Sequence, residues 1–82
     1  MNNHKESFEI IYRENILKVL PIYIEKQLLY HIQFPDNTPP LNICSATNFN
    51  QEKFWTSVPE GRQQLAIETG LLIDHYFTIQ PK

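Results

Sequence analysis

Chemistry at a protein site needs suitable side chains at a usable spacing, and the candidates here are His4, His31, His75, Cys44, Ser57 and Asp74. Structural zinc asks for four N or S donors, commonly in short paired spacings. The three histidines lie far apart and Cys44 is the sole cysteine, so no metal-ligand pattern exists. Asp74 and His75 are neighbours, but adjacent helical positions do not share a face, and a solvated pair near a helix end accounts for them. A nucleophile needs a base beside it or a setting that draws out its charge. Cys44 stands between Ile43 and Ser45, a place for a small buried hydrophobe, with no cationic neighbour to favour a thiolate. Ser57 lacks the Gly-x-Ser-x-Gly setting of a nucleophile elbow. The expectation is a protein that is not an enzyme, with no catalytic residue, no cofactor and no metal.

The densest stretch is residues 54–63, FWTSVPEGRQ, with the sole Trp, one of two Gly and one of two Arg. Ser57 and Glu60 have the spacing of a capping box, and Pro59 falls where a first helical turn loses nothing by lacking an N–H. This predicts a helix over residues 59–77. Its start is also where anions bind, through free N–H groups and the helix dipole. Ser57, Gly61 and Arg62, with Thr56 beside them, are therefore the candidate site for a small anion or nucleotide, the alternative function. Against that stand the lack of a Gly-rich phosphate loop and the negative charge of Glu60. Arg62 is expected to lay its stem on Phe54 or Trp55 and its head on a carboxylate or strand-end carbonyl.

The elements that position these residues follow from periodicity. Residues 8–13 alternate, with Phe8, Ile10 and Tyr12 on one face, as in a half-buried strand. A polar break at Glu14-Asn15 leads to a second strand over 16–24, where Pro21 implies an edge position, a bulge or an early end. Residues 28–34 give the cleanest alternation, with Leu28, Tyr30, Ile32 and Phe34 on one face. Three prolines make 35–40 a rigid loop, and 41–46 a fourth strand with Leu41 and Ile43 inward. The connection 47–53 has Phe49 as its anchor, and residues 54–56 add a short extended piece. On the helix, Leu65, Ala66, Thr69, Gly70, Leu72, Ile73, Tyr76 and Phe77 form one stripe at 100° per residue. Gly70 costs about 1 kcal/mol of helix propensity against Ala, and close approach of helix to sheet compensates it. Glu60, Gln64, Glu68 and His75 form the solvated face. The fold class is α+β: an antiparallel sheet of about four strands packed on one C-terminal helix, in a single domain over 1–82, with a loose start at 1–7 and a tail at 78–82.

Bulk composition bounds the function. Apolar residues make up 41% and charged residues 20% with a net charge of −2, enough apolar matter for a core and no basic excess for a nucleic-acid binder. Tyr12, Tyr23, Tyr30 and Trp55 would need basic neighbours on an open sheet face to stack bases, and most of them read as core. No stretch reaches the ~20 apolar residues that span a membrane. The N-terminal segment has no signal-peptide pattern and there is one cysteine, so the expected compartment is the cytoplasm.

Some apolar residues fall off the inward faces. Ile67 and Leu71 lie beside the helix stripe. Ile11, Ile16, Leu20 and Leu29 point away from the inner side of the sheet. Grouped exposed apolar residues mark association surfaces. The leading expectation is a protein partner or a homo-oligomer, engaged through Ile67, Leu71, Ile11 and Leu29, with no nucleic acid and no membrane. The alternative is that the N-terminal arm or the Asn-rich loop covers them.

The block FWTSVPEGRQQLA, with FPDNTPPL before it and GLLIDHYF after it, resembles a group of small uncharacterised bacterial proteins with an Ile/Leu-rich sheet region and a similar FWTS-Pro-Glu-Gly-Arg segment. The resemblance covers residues 30–77. It implies a recurring domain type and carries no activity, cofactor or catalytic residue.

Overall fold

Alternating β-branched and aromatic residues build a sheet here because each run can bury one face and wet the other. The structure is a computed structural model that describes residues 6–79. The loose start and most of the tail fall outside them. The elements are β1 (Phe8–Tyr12), β2 (Asn15–Ile24), β3 (Gln27–Gln33), β4 (Leu41–Thr47), β5 (Lys53–Ser57) and α1 (Gln63–Ile79). All neighbours are antiparallel and the spatial order is the chain order, β1-β2-β3-β4-β5. The architecture is the expected α+β sheet on one C-terminal helix, with five strands in place of four. The fifth is the extended piece at residues 54–56, longer than anticipated because Phe54, Trp55 and Thr56 pair in register with Ala46, Ser45 and Cys44.

Two-residue hairpins join the first three strands, and both residues of each turn have positive φ: Arg13 at 51° and Glu14 at 68°, then Glu25 at 51° and Lys26 at 71°. Such mirror-image turns match the strand twist. The first lies one residue earlier than expected, and Asn15 already pairs with Tyr12 inside the ladder. Pro21 breaks nothing. β1 pairs only as far as Val19 of β2, so beyond it β2 is a local edge, and Pro21 opposes Tyr30 on the other side.

Leu17, Val19, Ile32, Leu41 and Ile43 from the sheet meet Ala66 and Ile73 from α1 in the core. α1 contacts β1 at one edge and β4 and β5 at the other. A sheet whose two edges approach one helix must curl around it, so its inner face is concave and full. At β1, Phe8 stacks on Tyr76 with centroids 4.2 Å apart, and Tyr12 donates a hydrogen bond to Glu68. Glu68 therefore leaves the solvated face expected for it. At β5, Trp55 lies on Gly70, where an added Cβ would fall 2.1 Å from the indole ring. The helix glycine is a seat for the Trp.

The helix start differs from expectation. α1 begins at Gln63, with the Arg62 carbonyl accepting from the Ala66 N–H at 3.0 Å, so Arg62 is the cap. Gly61 has φ 130°, outside the helical region, which keeps residues 58–61 out of the helix. No Ser57–Glu60 capping box forms. Ser57 is buried, accepts from the Arg62 N–H at 3.1 Å and donates to the Pro59 carbonyl at 2.9 Å. The helix also outlasts residue 77, with the Thr78 hydroxyl bonded to the Asp74 carbonyl. Phe49 is fully exposed and anchors nothing. Its loop is held instead by Asn48, whose Oδ1 accepts from the N–H groups of Asn50 and Glu52.

Two outcomes follow. Gly70→Ala gains about 1 kcal/mol of helix propensity but overpacks Trp55, which costs about 1–3 kcal/mol or more, so urea unfolding is expected to show a net loss; a more stable variant would contradict the seat. For the β1 clasp, Glu68 is held below its ordinary 4.5 by hydrogen bonds from Tyr12 and Gln64, and Tyr12 above its ordinary 10.0, chiefly by that same bond. A depressed carboxylate adds stability above its unfolded value, lost as pH falls through the folded one. A raised phenol adds stability below its unfolded value, lost as pH rises through the folded one. Tyr12→Phe should therefore be less stable than wild type between those two values, and the gap should close at both ends of a pH series of urea melts.

Candidate functional surfaces

The outer, convex face of the sheet can be laid out from the register. β2 presents Ile16, Lys18, Leu20, Ile22 and Ile24 outward, because Leu17, Val19 and Pro21 are buried inward. Ile22 opposes Leu29 on β3, and Leu20 opposes His31. Continuing the β3–β4 register by one residue places Cys44 on the far side of Leu29. Ala46 and Phe54 follow on β4 and β5. These residues form one apolar patch, near which His31 Nδ1 donates to the Asn42 side-chain oxygen at 2.7 Å. Glu9, Lys18 and Gln33 align across β1, β2 and β3. That polar row separates the patch from a second apolar pair, Ile11 and Ile16, which oppose each other at the corner of the sheet.

The four expected interface residues are thereby divided. Ile11 is 66% exposed and Leu71 59%, and Ile67 is also exposed. Leu29 is only 6% exposed. It does point outward, but Ile22 and Cys44 flank it, so it is the floor of the patch and not its rim. Ile67 and Leu71 are on the side of α1 turned from the sheet, while Ile11 and Leu29 are on the sheet face turned from α1. The whole two-layer thickness separates them, so the four cannot form one surface. Cys44 is half-buried on the outer face, where burial pushes its thiol pKa up.

At the helix start, Ser57 and Arg62 of the candidate anion site already have partners within the chain. The Arg62 guanidinium donates to the Pro40 carbonyl at 2.7 Å and the Pro39 carbonyl at 3.1 Å, clamping the proline loop to the helix. Its head thus takes backbone carbonyls, as one branch of the expectation had it. The Ser57 hydroxyl is spent inside the turn, and Gly61 is exposed. Gln63 takes the adjoining edge: it donates to the Trp55 carbonyl at 2.6 Å and accepts from the Thr56 hydroxyl at 3.0 Å.

A half-open groove of about 380 Å³ lies on the inner side between β3, β4, β5 and the second half of α1. Tyr30, Trp55, Ile73 and Phe77 line it, with Lys53 and Asp74 among them. The Trp55 indole N–H donates to Asp74 Oδ2 at 2.9 Å, and Lys53 Nζ donates to Asp74 Oδ1 at 3.1 Å while standing 5.1 Å from the centre of the Trp55 ring. Sequence reasoning missed this cluster. Its only local sign is that Lys53 and Trp55 are two apart on a strand and Asp74 is one helical turn beyond Gly70. Among the described residues no three of His, Cys, Asp and Glu come together as a metal site, and no helix is long and apolar enough to cross a membrane.

In comparisons with known protein families, with curated proteins and with solved structures, nothing matches this chain.

The Asp74 junction is testable by two substitutions. Asp74→Asn keeps an acceptor for Trp55 and loses only an exposed ion pair, a change of about 0–1 kcal/mol. Asp74→Leu strands a buried indole N–H, which costs about 1–3 kcal/mol. Urea unfolding should rank them in that order; equal effects would mean the indole bond contributes nothing.

Proposed function

We propose that this protein is a non-catalytic association module whose outer sheet face binds a second copy of the chain. The observation that carries the reading is the contiguous patch of Leu20, Ile22, Ile24, Cys44, Ala46 and Phe54 around a floor at Leu29, with Leu20, Ile24 and Phe54 exposed. Leaving such a patch in water is unfavourable by about 25 cal/mol per Å² of apolar area, so a partner that removes it from water is stabilised. None of these side chains is charged. A charge-neutral apolar face is complementary to itself across a two-fold axis, the commonest symmetry of soluble oligomers. Five strands at ~4.8 Å spacing make the whole outer face about 24 Å across, and the patch is the part of it on β2 to β5 beyond the Glu9–Lys18–Gln33 row.

The anion-binding alternative draws less support, since the Ser57 hydroxyl and the Arg62 guanidinium already have partners within the chain. Light scattering after size exclusion is the test. Wild type is expected at twice the chain mass of 9.7 kDa at roughly 100 μM, well above a micromolar Kd. Leu20→Glu with Ile24→Glu should give the monomer, and Ile67→Glu with Leu71→Glu should leave the dimer intact. A monomeric wild type, or a dimer that survives the β2 substitutions, would remove the proposal.

A further inference from the structure

We infer that the inner groove is a binding site for a compact aromatic carboxylate, held by its ring against Trp55 and by its acid group on the Tyr30 hydroxyl and the Lys53 ammonium. The argument starts from size. A volume of about 380 Å³ equals the share of about a dozen waters at ~30 Å³ each, and it falls in the usual range for small-molecule sites. It would take one or two fused rings with a small substituent.

The walls supply the second constraint. Tyr30 and Trp55 meet at 61° with centroids 5.8 Å apart, and Leu28, Ile73 and Phe77 complete an apolar lining. Flat rings are favoured in such surroundings by stacking and edge contacts.

The polar groups supply the third. Each Asp74 oxygen already receives one donor, from Trp55 and from Lys53, so the Lys53 ammonium offsets its charge and each oxygen has one commitment inside the groove. The donors are not used up. An ammonium has three N–H groups, and Lys53 has committed one. Tyr30 is only 6% exposed, yet its hydroxyl has no hydrogen-bond partner among the described residues. Buried polar groups nearly always find a partner, so an unengaged hydroxyl bordering a groove points to a ligand atom or a water. Burial, with Tyr23 and Asp74 nearby, raises the Tyr30 pKa above its ordinary 10.0. Ser45 adds another hydroxyl at the rim. The two uncommitted Lys53 N–H groups and the Tyr30 phenol are donors that suit an acceptor, and a carboxylate answers both. This site is separate from the outer face, so its outcome does not depend on self-association.

The chain has a single Trp, so the Trp55 indole ¹H–¹⁵N resonance is a local reporter. Titration with 2-naphthoate is expected to shift it with a Kd of about a millimolar or tighter, and the neutral analogue 2-naphthylmethanol should bind at least about tenfold more weakly. Tyr30→Phe keeps the ring and removes the hydroxyl; it should weaken naphthoate about tenfold and the alcohol by less, because the bond to an ionised acceptor is the stronger one. Should that variant fail to fold, Lys53→Met makes the same comparison from the exposed end of the groove. No shift at about 10 mM naphthoate, or equal affinity for acid and alcohol, would overturn the inference.

Discussion

The contact between Trp55 and Gly70 sets the distance between the two layers. An indole ring occupies the space where any other residue would carry a Cβ, so α1 approaches β5 more closely than side chains ordinarily allow. From that seat Trp55 also reaches Asp74 on the next helical turn and meets Tyr30 on the central strand. One residue thereby joins an edge strand, the middle of the sheet and the helix. The opposite edge is tied by Phe8 on Tyr76 and by Tyr12 on Glu68. With both edges fastened to one helix the sheet is curled, its concave side is filled, and the groove is the space left near the β2–β3 turn.

Filling one face has a consequence for the other. Among the described residues, five strands and one helix have apolar residues for two faces of the sheet but cover for one. Inward positions carry Leu17, Val19, Ile32, Leu41 and Ile43, all essentially buried. Outward positions would be polar in a sheet that faced water throughout its life. Here the strip Glu9–Lys18–Gln33 obeys that rule and the patch around Leu29 breaks it. The difference within one face, and not the count of exposed apolar residues, is what supports an association surface.

How far all this could be read from the chain depends on the range of each interaction. The helix stripe from Leu65 to Phe77 was legible because a period of 3.6 repeats over about three and a half turns, and the buried Ala66, Thr69, Gly70 and Ile73 follow it. The compensation for Gly70 was foreseeable in kind, though not the identity of its partner. Strand β3 was legible for the same reason of long, regular alternation. The helix start was misread because Ser57 and Glu60 satisfy a local capping rule, while the actual arrangement depends on Gly61 leaving helical φ and on Arg62 finding the carbonyls of Pro39 and Pro40, more than twenty residues away. Leu29 was assigned the right face and the wrong exposure, since its neighbours Ile22 and Cys44 are set by register across three strands. The groove residues Tyr30, Lys53, Trp55 and Asp74 come from three elements, and no spacing rule joins them.

The central claim is that the inner face of this sheet belongs to the fold and the outer face to a second copy. Cys44 sits half-exposed on that outer face, and it is the only thiol in the chain, so its rate of reaction with a thiol reagent reports the state of that surface alone. The rate should fall as protein concentration is raised through the association range, while Trp55 emission, which reports the inner face, stays constant. A Cys44 reaction rate independent of protein concentration would contradict the account.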